Sequence, residues 1–435
     1  MKLNGSTYDS YKDSEHKWIG QLPESWSYIP NKHLFKLKKN QVGKNAHKYD
    51  LLSLTLQGII KRDMENPQGK FPEEFDTYQE VKKGDFVFCL FDVEETPRAV
   101  GLSNFDGMIT GAYTVLGLRN ELSKEYFYYY YLNLDNKKKL KPLYKGLRNT
   151  IPKDSFFGLK SFVPPKPEQT AIANFLDDKT ARIDQAIAQK ERMIELLQER
   201  KQIIIQNAVT KGLDSNVKMK DSGVEWIGKI PEHWEISKLR YLGTTQNGIS
   251  AGGEYFGSGF PFLTYSDVYN NTQIPESFSG LALSTPKDQL QFSVREGDVF
   301  FTRTSETMNE VGFSSTCFKT VPNSTFAGFL IRFRPSTNKL FKGFSKYYFS
   351  SNIHRSYFTK EMNLVTRASL SQELLKSMTV LLPSIKEQET IFNYLENYCE
   401  KFNNSIRILN TQIQKLKEYK TTLIDHAVTG KIKVS

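Results

Sequence analysis

The chain has 435 residues, enough for two or three domains, and its 39% hydrophobic and 13% aromatic content indicates a globular rather than a disordered protein. Lysine and arginine exceed aspartate and glutamate by 59 − 48 = 11, a basic balance that suits a polyanionic partner. The sequence has no run of 18 apolar residues and no apolar leader, so we expect a cytoplasmic protein with no membrane partner. Its three cysteines, Cys89, Cys317 and Cys399, are too far apart for a disulfide framework or a zinc site.

A tryptophan-containing segment near the start of the chain recurs in the second half. Residues 12–26, KDSEHKWIGQLPESW, match residues 220–234, KDSGVEWIGKIPEHW, at an offset of 208. All four tryptophans lie in these two tryptophan segments. We expect them to pack as structural anchors at the start of each domain.

A second matched pair follows. Residues 84–88, GDFVF, match residues 297–301, GDVFF, and each pattern predicts a tight turn that leads into a buried strand. Residues 125–134 and 346–351 are predicted helices. The tyrosines of the first could form a base-stacking platform, but their density favours core packing. The glycine-rich residues 252–259 predict a flexible loop.

Two long helices are predicted, at residues 168–210 and 387–429. They align without a gap at an offset of 219, with 14 identities in 43 pairs, and neither contains glycine or proline. Ser384 and Glu387 have capping-box spacing, and Gly212 and Gly430 follow the helix ends. Apolar residues recur at alternating steps of four and three along each helix, a heptad pattern that predicts a seam at which the two copies pair. The seam residues are Ile183, Ile187, Ile194, Leu197, Ile204, Phe402, Ile406, Leu409, Ile413, Leu416 and Leu423.

The repeats predict four segments: a mixed domain at 1–164, a central helix at 165–212, a second mixed domain at 213–382 and a C-terminal helix at 383–435. The fold class is therefore α+β, with two mixed domains separated by long helices that pair as an antiparallel coiled coil. No catalytic or metal-binding constellation is found, because the six histidines are scattered and the Asn66–Gly69 stretch lacks most of a methyltransferase motif.

Basic residues cluster in the two mixed domains. Lysine runs suit attraction of phosphates, whereas arginine in a polar loop can also reach guanine edges. For any single residue a solvated surface charge is the more ordinary role, so the clusters are better evidence than their members. The candidate DNA contacts are Lys36, Lys38, Lys39, Arg98, Lys141, Lys145, Arg148, Arg303, Thr304, Arg332, Arg334, Arg355 and Arg367.

Taken together, the duplicated W-I-G-x-[LI]-P-E-x-W segment, the Gly-Asp strand, the Glu-Gln start of each long helix and its Ala-Val-Thr end resemble the specificity (S) subunits of type I restriction-modification systems. The resemblance covers nearly the whole chain. In the first copy the helix ends Val209-Thr210-Lys211-Gly212, which swaps the usual Gly-Lys order.

The resemblance implies a subunit without catalytic activity of its own. Each mixed domain would be a target recognition domain for one half of a bipartite, asymmetric site in double-stranded DNA, and the paired helices would set the spacer. Two methyltransferase (M) subunits using S-adenosylmethionine and two restriction (R) subunits using ATP and Mg²⁺ would be its partners, and the chain itself would hold no cofactor. Two alternatives stay open: a coiled-coil scaffold with two protein-binding modules, and a stand-alone methyltransferase or nuclease.

Overall fold

The computed structural model describes residues 6–15, 20–63, 75–119, 121–305, 311–354, 357–358 and 368–434. The chain forms two compact units. The first unit contains residues 1–190 and 410–435, and the second contains residues 191–409. Each long helix therefore contributes one half to each unit. In the described part of the chain, no helix combines the length and the apolarity needed to cross a bilayer.

The first unit holds strands β1 to β12 and helices α1 to α3. The strands are β1 Tyr11–Asp13, β2 Gln21–Pro23, β3 Ser27–Pro30, β4 Phe35–Leu37, β5 Leu52–Thr55, β6 Gly58–Lys61, β7 Gln79–Val81, β8 Phe86–Phe88, β9 Val100–Leu102, β10 Gly107–Ile109, β11 Thr114–Leu118 and β12 Lys160–Val163. The helices are α1 Asn31–Leu34, α2 Lys124–Asn136 and α3 Lys153–Gly158, with 3-10 turns at Gly43–Lys48 and Lys141–Leu143.

Among its described residues, the second unit holds strands β13 to β25 and the short helices α5 to α8. The strands are β13 Met219–Asp221, β14 Lys229–Pro231, β15 Glu235–Lys238, β16 Gly243–Asn247, β17 Phe256–Leu263, β18 Gly280–Ala282, β19 Val299–Thr302, β20 Thr304–Ser305, β21 Ser314–Thr316, β22 Thr325–Phe326, β23 Leu330–Pro335, β24 Ala368–Ser369 and β25 Thr379–Leu382. The helices are α5 Tyr265–Tyr269, α6 Pro286–Gln291, α7 Lys342–Ser350 and α8 Gln372–Ser377, with 3-10 turns at Leu239–Tyr241 and Gly253–Tyr255.

The two units repeat one sheet topology. The first contains an antiparallel sheet of order β4-β11-β8-β9, and the second contains the same arrangement as β16-β23-β19-β21. The hairpins β1-β2 and β13-β14 correspond, as do the pairs β3-β12 and β15-β25. Helix α2 packs against β9, and α7 packs against β21. The predicted duplication therefore extends to the pairing of strands.

The long helices are the central helix, α4, at Lys166–Lys211 and the C-terminal helix, α9, at Ile385–Val428. At about 1.5 Å per residue they measure about 69 and 66 Å. In the first unit Lys420 contacts the Asp184 carboxylate at 2.6 Å, and Lys190 donates to Gln412 at 2.7 Å. In the second unit Lys201 donates to Asn403 at 2.9 Å. Residue numbers rise along one helix as they fall along the other, so the predicted antiparallel coiled coil is confirmed.

The seam follows the heptad pattern. Each of the eleven predicted seam residues is buried or half-buried, and Leu423, at 1% exposed, is the most deeply buried of them. Apolar residues one position before the seam, such as Leu196 and Ile408, are about half exposed instead. A shift of the seam by one residue would therefore expose the apolar stripe of each helix.

A buried glutamine explains the Glu-Gln pattern at the start of each long helix. Gln169 accepts a hydrogen bond from the Ser123 backbone N–H at 2.9 Å and donates to the Pro164 carbonyl at 2.8 Å. Gln388 accepts from the Phe341 N–H at 2.8 Å and donates to the Pro383 carbonyl at 2.9 Å. Each amide thus ties the start of a long helix to the segment that leads into α2 or α7.

The glutamate that precedes Gln388 holds the tryptophan segment of the second unit. Ser384 Oγ accepts from the Glu387 N–H at 3.3 Å, as a capping box requires. The Glu387 carboxylate instead accepts from Trp234 Nε1 at 2.9 Å and lies 3.0 Å from His233 Nε2. The prediction of a full capping box is therefore wrong, because this carboxylate binds the tryptophan segment rather than the helix backbone.

Glycine ends both long helices in the left-handed conformation, as predicted. Gly212 has φ +73° and Gly430 has φ +70°. Gly212 lies against Trp234, and Gly430 lies against Pro23 and Trp26. Trp26 and Trp234 are each 1% exposed, which confirms that they are structural anchors, whereas Trp18 lies outside the described residues.

Aromatic packing dominates the core of the first unit. Phe35, Phe88 and Tyr131 form a cluster with ring centroids 5.1 to 6.0 Å apart. Tyr126 and Tyr130 are also buried, which confirms that the tyrosine-rich helix packs in the core. The prediction of a flexible loop at residues 252–259 is wrong for its second half, because β17 begins at Phe256 and pairs with β18.

Candidate nucleic-acid interface

The Gly-Asp turns lead into β8 and β19, which are inner strands of the two four-stranded sheets. Gly84 has φ +87° and Gly297 has φ +88°, a backbone conformation in which a residue with a side chain would be strained. The buried Asp85 accepts from the Lys82 N–H at 2.9 Å, and the buried Asp298 accepts from the Arg295 N–H at 2.8 Å. Each tight turn leads into a buried strand, as predicted, and the structure adds that its carboxylate is buried as well.

These carboxylates need a cation, because a buried charge without a partner is costly. Lys38 contacts Asp85 at 2.6 Å, and Arg334 contacts Asp298 at 2.6 Å. Arg334 also donates to the Ser293 carbonyl at 3.0 Å. The assignment of Lys38 and Arg334 as DNA contacts is therefore corrected: both cations neutralise a carboxylate of their own unit.

Arg332 also has an internal role. It is 5% exposed, donates to the Ser293 carbonyl at 2.7 Å and contacts the Gln246 side-chain oxygen. Its guanidinium lies 5.2 Å from the centroid of the Phe326 ring. Burial, assisted by the charge of Arg334, lowers the pKa of Arg332 to about 10. Arg332 is therefore also withdrawn as a DNA contact, since it cannot present its guanidinium to a ligand.

Arg98 is held in the same way in the first unit. Its side chain is 14% exposed, donates to Asn136 Oδ1 at 2.7 Å and lies 3.6 Å from the buried carboxylate of Asp135. The prediction of a DNA contact fails here because the arginine closes the end of α2 instead of extending from the loop.

Lys141, Lys145 and Arg148 belong to one exposed corner of the first unit. Lys141 pairs with Glu94 at 2.7 Å, and Arg148, 73% exposed, pairs with Asp92 at 2.5 Å. Asp92 raises the pKa of Arg148 through this hydrogen bond. The backbone bridge between Lys145 and Thr150 closes the turn that contains Arg148. These residues are accessible, although acidic neighbours offset part of their charge.

The counterpart in the second unit is the segment that contains Arg303 and Thr304. The Arg303 N–H donates to the Phe329 carbonyl at 2.9 Å, and its carbonyl accepts from Leu370 at 2.8 Å. Thr304 pairs with Ser369 in the β20-β24 ladder. In the part of the chain that the structure describes, the Arg303 guanidinium has no hydrogen-bonding or ionic partner, so it stays a candidate. Arg355 and Arg367 lie outside the described residues.

Lys36 and Lys39 are exposed near the edge strand β4. No acidic partner is found for either of them among the described residues. They therefore fit the predicted surface, with the further lysines Lys44 and Lys48 of the adjoining 3-10 turn. Of the thirteen predicted contacts, the described residues that stay candidates are Lys36, Lys39, Lys141, Lys145, Arg148, Arg303 and Thr304, and Arg355 and Arg367 stay untested predictions.

Each unit also has a groove beside its long helices. In the first unit a groove of about 840 Å³ is lined by Tyr129 of α2, Asp184 of the central helix and Lys420 of the C-terminal helix. The Tyr129 hydroxyl donates to Asp177 at 2.7 Å. The groove is therefore a polar recess bounded by a domain helix and by both long helices.

The groove of the second unit has the same construction. It measures about 750 Å³ and is lined by Tyr347 of α7, Lys201 and Asn403. The Tyr347 hydroxyl donates to Glu396 at 2.7 Å. Lys201 and Lys420 are related by the offset of 219 found in the sequence, and Tyr129 and Tyr347 by 218. Core packing was predicted for Tyr129 and no role for Tyr347, but the repeat offset could have identified the matched pair.

No group of three or more histidine, cysteine, aspartate or glutamate side chains suited to a metal ion is present in the described ranges. The arrangement in both units consists of exposed cations on a β scaffold, which suits recognition of a polyanion.

In sequence, the chain is similar to the specificity subunits of type I restriction enzymes. A family model for the type I restriction modification DNA specificity domain matches residues 231–418. The type I restriction enzyme EcoKI specificity subunit of Escherichia coli K12 is 28% identical over 283 residues, covering 62% of this chain and 58% of that protein. The chain thus spans less than two thirds of that relative. The type I restriction enzyme MjaVIII specificity subunit of Methanocaldococcus jannaschii is 24% identical over 337 residues, covering 75% of each.

A solved structure has the same fold. It belongs to a study of complex assembly and conformational transition of the type I R-M system, and the matching chain superposes with a TM-score of 0.70. The alignment covers 94% of this chain and 99% of that chain at 15% sequence identity. At this identity the likeness supports the fold alone.

Proposed function

We infer that this chain, a member of the family of type I restriction-modification specificity subunits, recognises DNA sequence for a larger modification and restriction complex. Each unit would recognise one half of a bipartite, asymmetric site. The observation that carries this proposal is the duplicated sheet, β4-β11-β8-β9 and β16-β23-β19-β21, which supports different surface side chains in the two units. One scaffold with two unlike surfaces suits two unlike half-sites.

The two long helices would set the number of unread base pairs between the half-sites. Half-sites approached from one face of a duplex lie about 34–36 Å apart, or one helical turn. Helices of about 69 and 66 Å are long enough to span that separation. Their antiparallel pairing and buried seam give the rigidity that a fixed spacer needs.

The chain would act without catalysis of its own. Two methyltransferase subunits would bring S-adenosylmethionine and flip the target adenines out of the duplex. Two restriction subunits would bring ATP and Mg²⁺. The matched grooves support two equivalent partners, because each unit offers a recess lined by a tyrosine and by a lysine of a long helix: Tyr129 with Lys420, and Tyr347 with Lys201.

Adenine methylation gives the most direct test. The chain is co-expressed with its methyltransferase subunit in a host that lacks other adenine methyltransferases, and 6-methyladenine is mapped by single-molecule sequencing. We expect one motif made of two short specific parts and a fixed unread spacer. The methyltransferase subunit expressed without this chain is the control and should give no such motif.

Two results would contradict the proposal. A contiguous motif would remove the role of two separate units, and methylation that persists without this chain would remove the role of sequence recognition. A complex that assembles but shows no sequence preference in filter binding at moderate salt would favour the protein scaffold instead.

A further inference from the structure

The edge-strand region of the first unit carries positive side chains and no acidic ones. Residues 31–49, NKHLFKLKKNQVGKNAHKY, contain six lysines and no aspartate or glutamate. They form α1, the edge strand β4 and the 3-10 turn Gly43–Lys48. This lysine segment is hydrogen-bonded to the rest of the unit through Val42 N–H to the Tyr78 carbonyl at 2.9 Å, so its position is fixed.

The same position in the second unit is neutral. Strand β16 occupies the same edge of the same sheet as β4. At the offset of 208, residues 239–257, LRYLGTTQNGISAGGEYFG, contain only Arg240 and Glu254 as charged side chains. The sheet topology therefore does not require the lysines, and the difference between the units lies in the surface.

Five of the six lysines are available to a ligand. Lys38 neutralises Asp85, as described above. The other five lysines are exposed, and in the described ranges they have no ion-pair partner. They are Lys32, Lys36, Lys39, Lys44 and Lys48. Glu80 of β7 accepts hydrogen bonds from Asn40 and Tyr49 of this segment at 3.3 Å, and its ion pair is with Lys82 at 2.7 Å rather than with one of the five lysines.

Lysine on an edge strand can also prevent sheets from associating edge to edge. Only Lys36 lies on β4, however, whereas Lys44 and Lys48 lie on the 3-10 turn, where no strand edge needs protection. A run of flexible cations along a fixed backbone suits a linear array of phosphates, which attract lysine without regard to base sequence.

We propose that the lysine segment binds the phosphate backbone of DNA, and that the first unit thereby supplies most of the salt-dependent attraction of the whole chain for its site. This inference rests on the proposed recognition of DNA and adds an unequal division between the units. The first unit holds the duplex through phosphates in addition to recognising bases. The second unit depends to a greater degree on base contacts from its loops.

The salt dependence of binding tests this division. The full chain in complex with its methyltransferase partner is titrated with a duplex that carries the recognised site and with a scrambled duplex, from 50 to 250 mM KCl. Each phosphate contact contributes about 0.9 to the slope of log K against log salt. We expect K36Q/K39Q/K44Q/K48Q to lower the slope by about 3 to 4 on both duplexes and to leave their affinity ratio unchanged.

Three further variants make the result specific. K218Q/K229Q/K287Q/K319Q removes four charges from the second unit and should change the slope by less than about 1. Replacing the four lysines of the first unit by arginine should preserve the slope. K44Q/K48Q leaves the edge strand intact and should lower the slope by about 2, even if the fourfold variant proves insoluble.

An unchanged slope in K44Q/K48Q, or an equal loss of slope in the second-unit control, would overturn the inference. If either occurs while the unmodified complex still prefers its site, the proposed function stands and only the division between the units fails. If the unmodified complex prefers no site, the proposed function fails, whereas the comparison of slopes still decides the role of the lysine segment.

Discussion

A buried carboxylate at the end of the C-terminal helix gives a stability prediction with a defined pH dependence. Asp425 is 1% exposed and accepts hydrogen bonds from Asn133 Nδ2 at 3.0 Å and Lys431 Nζ at 2.7 Å, with Lys137 Nζ also at 2.7 Å. Burial by itself would raise the pKa of Asp425, but these donors outweigh it and lower the pKa to about 2. In its charged form, the Asp425 carboxylate therefore links the C-terminal helix to the end of α2.

The size of the effect follows from the pKa. A fall from 3.8 to about 2 stabilises the folded first unit by about 2.4 kcal/mol, at about 1.36 kcal/mol per unit. Because the folded pKa is lower than the unfolded pKa, this contribution is complete above about pH 4. It is about half lost at pH 3 and disappears near pH 2. We expect Asp425→Asn to lower the free energy of unfolding by about 2 kcal/mol at pH 7 and by about 1 kcal/mol at pH 3.

Hydrogen–deuterium exchange in a urea series, read by mass spectrometry on peptides from Lys124–Asn136, measures the unfolding of the first unit alone. Gln206 is the matched control, since it is the residue of the central helix that corresponds to Asp425 at the offset of 219, and it is exposed. Because Gln206 lies in the second unit, Gln206→Ala should change the stability of that unit, read on peptides from Lys342–Ser350, by less than about 0.5 kcal/mol and leave the first unit unchanged. An Asp425→Asn effect that is equally large at pH 7 and pH 3 would refute the electrostatic reasoning and indicate lost packing instead.

Three further predictions concern DNA. Arg303→Ala should weaken recognition of the second half-site by about 1–3 kcal/mol and leave the first unaffected, as measured by competition with half-site variants; a uniform loss over all duplexes would assign Arg303 to the backbone. Replacing residues 15–160 by the domain of another specificity subunit should change one half of the methylated motif, and a change in both halves would show that the units are not independent. Inserting four residues after Leu197 and four after Ser405 lengthens both helices by about 6 Å and turns them by about 40°, which matches one to two base pairs. The unread spacer of the methylated motif should therefore lengthen by one to two base pairs, while both half-sites keep their sequence. Altered half-sites would contradict the role of the helices.

The long helices and the duplication were predictable because they depend on local patterns that occur twice, whereas the domain boundaries stay a prediction. A heptad seam free of glycine and proline specifies a paired helix wherever it occurs, and Gly212 and Gly430 mark its ends by conformation alone. The turns at Gly84 and Gly297 were predictable for the same reason. In each case the residue type itself restricts the backbone.

The candidate contacts were harder to predict, because the sequence shows charge but not the partner of that charge. Arg332 and Arg334 stand in one strand and look like surface cations, yet both bind acceptors that are distant in the chain, at the half-buried Ser293 and the buried Asp298. Glu387 illustrates the same limit, since its spacing predicted a helix cap while its carboxylate binds Trp234. Long-range pairing decides such cases, and spacing along the chain carries no information about it.

The two Gly-Asp turns have a consequence for how such proteins diversify. Asp85 takes its cation from Lys38, just after the edge strand β4, whereas Asp298 takes it from Arg334 on the neighbouring strand β23. The same turn is thus neutralised from a different element in each unit. The turn does not require a cation at one fixed position of the sheet, so the edge strand can carry different side chains in the two units while the turn is kept.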